Sequence, residues 1–224
     1  MRFPALIAAS LWLAGLAPAQ AQVQVAGVSF AEAAELRGSR LQLNGAGIRF
    51  RGPFKVYAAG LYLGRKAATP EEALAGPGAK RLTVTMLREI DAGELGRLFT
   101  RGVEDNMEKT AMSRLVPGLL RMGQIFSDHK RLQPGDTFTL DWVPGTGTVL
   151  TLRGVPQGEP FREPEFFQAL LRIWLGPAPA DWKLKDSLLG RQGSQASQAI
   201  AGVEISTQKE QPKKQPKPQK NNNQ

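Results

Sequence analysis

The chain has 224 residues, no cysteine, one histidine and a net charge of +9 at pH 7. Without cysteine there is no disulfide framework, thiol nucleophile or thiolate-held metal, and a single histidine excludes a two-histidine metal site. Much of the charge lies near the C-terminus and not in clusters with aromatic residues, which argues against a nucleic-acid partner.

Met1–Ala21 opens with Arg2, continues through the apolar run Ala5–Leu16 and ends Ala19-Gln20-Ala21. That is the layout of a cleavable signal peptide, so the expected location is periplasmic or secreted. The apolar part is too short to span a bilayer, and no other run approaches the roughly 18 apolar residues that a membrane helix needs. Residues 22–205 suit one domain with one core. Residues 206–224 are Lys, Gln, Pro and Asn without large apolar side chains, and are expected to be a disordered basic tail. Setting aside Arg2 and the five Lys and one Glu of the tail leaves 22–205 with +4. The tail is suited to touching anionic membrane surfaces.

In the mature part, Val23–Phe30 reads as a short strand and Ala31–Leu36 as a helical turn. Leu41–Phe50 carries Leu41 and Leu43, then Ile48 and Phe50, around Asn44-Gly45-Ala46-Gly47, the pattern of a bulged strand. Arg51-Gly52-Pro53 is a turn, and Phe54–Leu63 is a second strand. An antiparallel pairing across that turn brings Arg49 close to Tyr57. A guanidinium beside a phenol is a good receptor for a carboxylate, because Arg offers a bidentate fork and Tyr a neutral hydroxyl. The alternative is structural, with Arg49 solvated on its strand and Tyr57 packed at a sheet edge.

Thr69-Pro70-Glu71-Glu72 starts a helix that Gly76-Pro77-Gly78 stops. Arg81–Arg88 alternates as a strand. Asp91 caps a helix over Ala92–Lys109 whose Leu95, Leu98, Phe99, Val103 and Met107 share one face. Arg97, Arg101, Glu104 and Asp105 form its solvated side. A second helix spans Ser113–Asp128, with Pro117 in its first turns. His129 follows at the helix end, where the dipole favours it without any role in binding haem or metal. Thr137–Val143 and Thr148–Arg153 form a hairpin around Pro144-Gly145-Thr146-Gly147. Pro164 opens a helix over Glu165–Leu175 that is apolar on more than one side, and Ala180–Leu189 is a short closing helix. The order of elements predicts an α+β fold with helices layered on one face of an antiparallel sheet, able to enclose a ligand cavity.

Gly45-Ala46-Gly47-Ile48-Arg49 followed by Phe54-Lys55-Val56-Tyr57-Ala58-Ala59-Gly60-Leu61-Tyr62-Leu63 resembles the chalcone isomerase fold family, in its bacterial chalcone isomerase-like branch. The likeness runs from about Val25 to Gly190. It implies an open-faced sandwich and, among the family's known roles, flavanone-forming isomerases, non-catalytic enhancers of flavonoid synthesis or fatty-acid-binding proteins. Arg49 matches the family's strand arginine. The enzymes' strand threonine is matched by Tyr57, their helix tyrosine and asparagine by Leu95 and Gly102, and a later threonine by Ile173. These three apolar replacements leave few groups to position a phenolate or hold an enolate. An Arg and a Tyr at these positions are similar to the fatty-acid-binding members. The resemblance therefore implies an exported, non-catalytic protein without a cofactor or metal. It would hold an amphipathic carboxylate through Arg49 and Tyr57, with Arg88 as a second cation at the rim and Tyr62 and Arg51 in structural roles. An intramolecular lyase or isomerase on another substrate, and a haem-binding protein using the same Arg, are the alternatives.

Overall fold

A computed structural model describes residues 21–191. The segment expected to be a signal peptide, apart from Ala21, the end of the domain expected at 22–205, and the basic tail lie outside the described residues. β1 (Gln22–Val25) and β2 (Val28–Ala31) form a hairpin across Ala26 and Gly27, both at positive φ. β3 (Ala33–Leu36) pairs with the start of β4 (Ser39–Arg51), so the helical turn expected over Ala31–Leu36 is instead strand. Ala and Glu favour helix, but four residues cannot offset the entropy of a helix nucleus, whereas the neighbouring long strand supplies ready backbone partners.

β5 (Phe54–Leu63) returns along β4, and Thr69 caps α1 (Pro70–Ala75) with the reciprocal Thr69–Glu72 bonds of a capping box. β6 (Lys80–Met86), the short β7 (Ile90–Asp91) and α2 (Ala92–Glu104) follow. α2 stops before the expected Lys109, and α3 (Lys109–Ser127) begins earlier than expected. Asn106 accounts for the break: its Nδ2 donates to the carbonyls of Gly102 and Ala178, both at 2.8 Å, which ties the end of α2 to a distant loop. Pro117 therefore sits in the interior of α3 and not near its start. The helical bond it cannot make would go to Ser113, which is exposed, so water can serve that carbonyl. β8 (Arg131–Leu132), β9 (Thr137–Val143), β10 (Gly147–Leu152), β11 (Val155–Pro156), α4 (Pro164–Leu175) and α5 (Trp182–Leu188) complete the chain.

The main sheet has the order β11-β10-β9-β6-β5-β4-β3, with every pairing antiparallel. Its strands alternate as a one-sided sheet should. Leu82, Val84, Met86, Phe138 and Leu140 enter the main core with Leu95, Phe99, Phe126, Leu170 and Trp174 from the helices. Thr83, Thr85, Thr139 and the bidentate Arg81–Asp141 pair, at 2.7 Å for both contacts, occupy the opposite face. At the β4–β5 end that second face is covered by the β1–β2 hairpin: a Cβ on Gly60 would meet the Phe30 ring at 2.6 Å.

The bulge at Asn44 decides where Arg49 points. Leu43 pairs with Tyr62, but Gly45 pairs with Leu61, so Asn44 is the extra residue. One inserted residue inverts the side-chain parity. Leu41 and Leu43 therefore share the Phe30 side, whereas Gly45, Gly47 and Arg49 lie with Leu61, Ala59 and Tyr57 on the helix side. The two glycines there have a steric reason. α5 lies directly on β4: a Cβ on Gly45 would fall 2.0 Å from the Ser187 carbonyl oxygen, and one on Gly47 would fall 2.5 Å from the Ser187 Cβ.

Candidate ligand-binding site

A cavity of about 290 Å³ opens between the β4–β5 hairpin, α2 and the loop before α5. Arg49, Val56 and Tyr57 come from the hairpin, Leu95, Leu98, Phe99 and Gly102 from α2, and Ile173, Ala178, Pro179 and Ala180 from the other side. Arg49 and Tyr57 are directly opposed across the two strands. The positions where the enzymes of the resembled family carry polar groups, Leu95, Gly102 and Ile173, all face this space. They bring it no polar side-chain group, and Gly102 is packed so closely that a Cβ there would meet Ile173 at 3.0 Å.

Tyr57 is 7 % exposed. Its Oη accepts a hydrogen bond of 2.9 Å from Nε1 of Trp174 in α4. No acceptor for the phenol's own proton is found among the described residues, so that proton can be donated to a ligand. Burial pushes the Tyr57 pKa up to about 12, partly offset by the Trp174 N–H and the positive Arg49, while Asp181 adds to the rise. The hydroxyl is thus a neutral donor throughout the physiological range. The sign of the pH effect follows. Below pH 10 both folded and unfolded chains hold the proton, and between about pH 10 and 12 only the unfolded chain releases it. This tyrosine therefore removes about 1.4 kcal/mol of stability per pH unit across that window. In an alkaline titration of Tyr62→Phe, which leaves Tyr57 as the one tyrosine of the sequence, the ultraviolet band of tyrosinate should stay weak to beyond pH 11 and then rise together with loss of folded structure. A rise centred near pH 10 while that variant remains folded would show that the Tyr57 phenol is accessible.

Arg49 is held in two ways. Its Nη1 donates to the Phe50 carbonyl and stands 3.8 Å from Oδ2 of Asp181. Asp181 is the N-cap of α5. Its Oδ1 accepts from the backbone N–H of Lys183 (2.8 Å) and Leu184 (3.1 Å), and its Oδ2 accepts from Phe50 N–H at 3.0 Å. Neither Trp174 nor Asp181 was singled out from sequence as part of the site. A Trp in an apolar helix needs an acceptor for its N–H, and an Asp just after Pro179-Ala180 reads as a helix cap, so each carried a local signal but no indication of its distant partner.

The other candidates fall elsewhere. The Arg88 guanidinium lies over the Phe54 ring, 5.1 Å from its centroid, and does not line the cavity, so it is not the second cation there. Arg101, expected on a solvated face, borders the cavity together with Asp105. Tyr62 is buried on the Phe30 side of the sheet, and Arg51 approaches Glu94 at 3.5 Å. Nε2 of His129 makes a 2.9 Å hydrogen bond with Oε1 of Gln157, and no metal-ligating cluster occurs among the described residues.

A family model described as chalcone isomerase-like matches residues 22–190. No curated protein matches the chain by sequence. Among solved structures, a fatty-acid binding protein of Arabidopsis thaliana has a TM-score of 0.58, covering 73 % of this chain and 92 % of its own at 17 % identity, a likeness of fold. With the family model spanning nearly all of the described residues, the chain belongs to the chalcone isomerase-like family.

Proposed function

We propose that the protein is a non-catalytic binder of a fatty acid or similar amphipathic carboxylate, exported through its N-terminal segment. The observation that carries this reading is the opposed Arg49 and Tyr57 pair at the wall of an otherwise largely apolar cavity. A carboxylate at that wall accepts from the guanidinium and from the free phenolic proton, while an alkyl chain runs along Val56, Leu95, Phe99 and Ile173. Fatty-acid binding by the Arabidopsis protein is in keeping with this use of the fold. The volume is at the lower end of the roughly 300–1,000 Å³ common for ligand sites, which favours a short or medium chain. Leu95, Gly102 and Ile173 provide no side-chain acid, base or oxyanion donor, so binding without turnover is the better reading than isomerisation. The basic tail would hold the carrier near anionic membrane surfaces.

Mass spectrometry of small molecules released by denaturing the purified, untagged protein tests this directly. It should be paired with titration of emptied protein by a medium-chain fatty acid and by the alcohol of equal length. Released fatty acids, and tighter binding of the acid than of the alcohol, are the expected results. Equal affinity for acid and alcohol would remove the carboxylate from the proposal, and turnover of a chalcone-like enone would replace it with an isomerase.

A further inference from the structure

A second cavity, of about 330 Å³, lies at the opposite end of β5. From Tyr57 to Leu63 the strand rises about 20 Å, so the two cavities are separate. Leu63 and Lys80 line this one from the sheet, Ala73 from α1, and Arg65 and Lys66 from the connecting segment.

Lys80 occupies a position otherwise reserved for apolar residues. It precedes Leu82, Val84 and Met86 on the helix side of β6 and is 6 % exposed. Its Nζ donates to the Leu74 carbonyl at 3.2 Å, at the end of α1, where the helix dipole favours a cation. An ammonium has three protons to donate, and no carboxylate lies within ion-pair distance of this one among the described residues. Glu72 also lines the cavity, but its Oε2 is turned to the start of α1, accepting from Ala68 N–H at 2.9 Å and Thr69 N–H at 3.3 Å. Lys66 donates to the Leu43 carbonyl, and Arg65 is exposed on the same wall. Three cations thus surround a space whose one carboxylate is engaged elsewhere. Burial lowers the Lys80 pKa, as for a buried cation lacking a counter-ion.

We propose that this cavity binds a small organic anion. Its carboxylate or phosphate sits on Lys80, with Arg65 and Lys66 at the entrance, and its short apolar part lies against Leu63, Ala67 and Ala73. The site is independent of Arg49, and its ligand differs from an amphipathic carboxylate in needing no long tail.

The test is acetylation of the full-length protein by acetic anhydride at constant pH and ionic strength, with peptide mapping by mass spectrometry. Chloride, inorganic phosphate and butyrate serve as alternative anions, and exposed Lys55 is the internal control. Lys80 acetylation is expected to slow by about tenfold at saturating phosphate or butyrate while Lys55 is unaffected. The more protective anion identifies the headgroup class. The same protection should persist in Arg49→Ala, which separates this site from the fatty-acid proposal. Equal Lys80 rates in all three salts would overturn the inference. So would matched slowing at Lys55, which marks an adventitious ion only, or no Lys80 acetylation in chloride, which marks a closed cavity.

Discussion

Replacing Asn44 by alanine is expected to lower the unfolding free energy by about 3–5 kcal/mol, a large share of the roughly 5–15 kcal/mol typical of a domain. Asn44 is 5 % exposed and makes three hydrogen bonds. Its Nδ2 donates to the carbonyls of Ala67 (2.9 Å) and Leu188 (2.7 Å), and its Oδ1 accepts from Ala67 N–H at 2.7 Å. Alanine would leave one buried donor and two carbonyls without these partners, each omission costing about 1–3 kcal/mol before relaxation or water entry. The loss should also reach the binding site. The same side chain holds the bulge that turns Arg49 to the helix side, and it ties that bulge to the end of α5, whose N-cap is Asp181. Urea unfolding of wild type and Asn44→Ala, together with carboxylate titration at low temperature where the variant remains folded, checks both effects. A stability change under 1 kcal/mol would show that the bulge is held by the glycine–α5 contact alone.

Arg49→Ala is expected to weaken carboxylate binding by about 30- to 100-fold, corresponding to the roughly 2–3 kcal/mol of a charge-assisted hydrogen bond in a partly buried site. Its effect on folding should be smaller, about 1 kcal/mol, because Asp181 would retain three backbone donors, the N–H groups of Phe50, Lys183 and Leu184. This separation of affinity from stability distinguishes a binding arginine from a structural one. Asp181 supplies the opposite test. It stands 3.8 Å from Arg49 and presents a resident negative charge to any incoming carboxylate. Asp181→Asn should therefore tighten acid binding by about tenfold at neutral pH while leaving binding of the equivalent alcohol nearly unchanged. Calorimetric titration of both variants with both ligands checks the pair. An Arg49→Ala protein that binds the acid as tightly as wild type would move the headgroup away from this wall.

Local chemistry is enough to find the main hairpin, the Thr69 N-cap of α1, the β9–β10 hairpin and α4. In each case the periodicity or turn residues act within a few positions, as with Thr69 and Glu72 or Pro144-Gly145. It failed where a distant partner decides. Ala33–Leu36 is strand because β4 lies alongside it, and α2 ends early because Asn106 bonds to Ala178, a loop far along the chain. The amphipathic pattern of α2 separated its buried from its solvated side but could not reveal that Arg101 and Asp105 border a cavity. That depends on which surface is left uncovered by the loop before α5.

By itself the sequence determined the class of fold, the bulged glycine strand and the closeness of Arg49 to Tyr57 across a short turn, whereas their direct opposition also needs the second register shift, between Arg49 and Phe50, at which Val56 is the extra residue. Only the tertiary structure decided what that pair can do. Trp174 arrives from α4 and donates its Nε1–H to a lone pair of the Tyr57 oxygen, leaving the phenolic proton unengaged among the described residues. Asp181 arrives from the α5 cap to share Arg49, and the bulge at Asn44 selects the face on which all of them meet. These contacts join residues more than a hundred positions apart, and hydrogen-bond complementarity over such separations is set by packing, which local pattern does not encode.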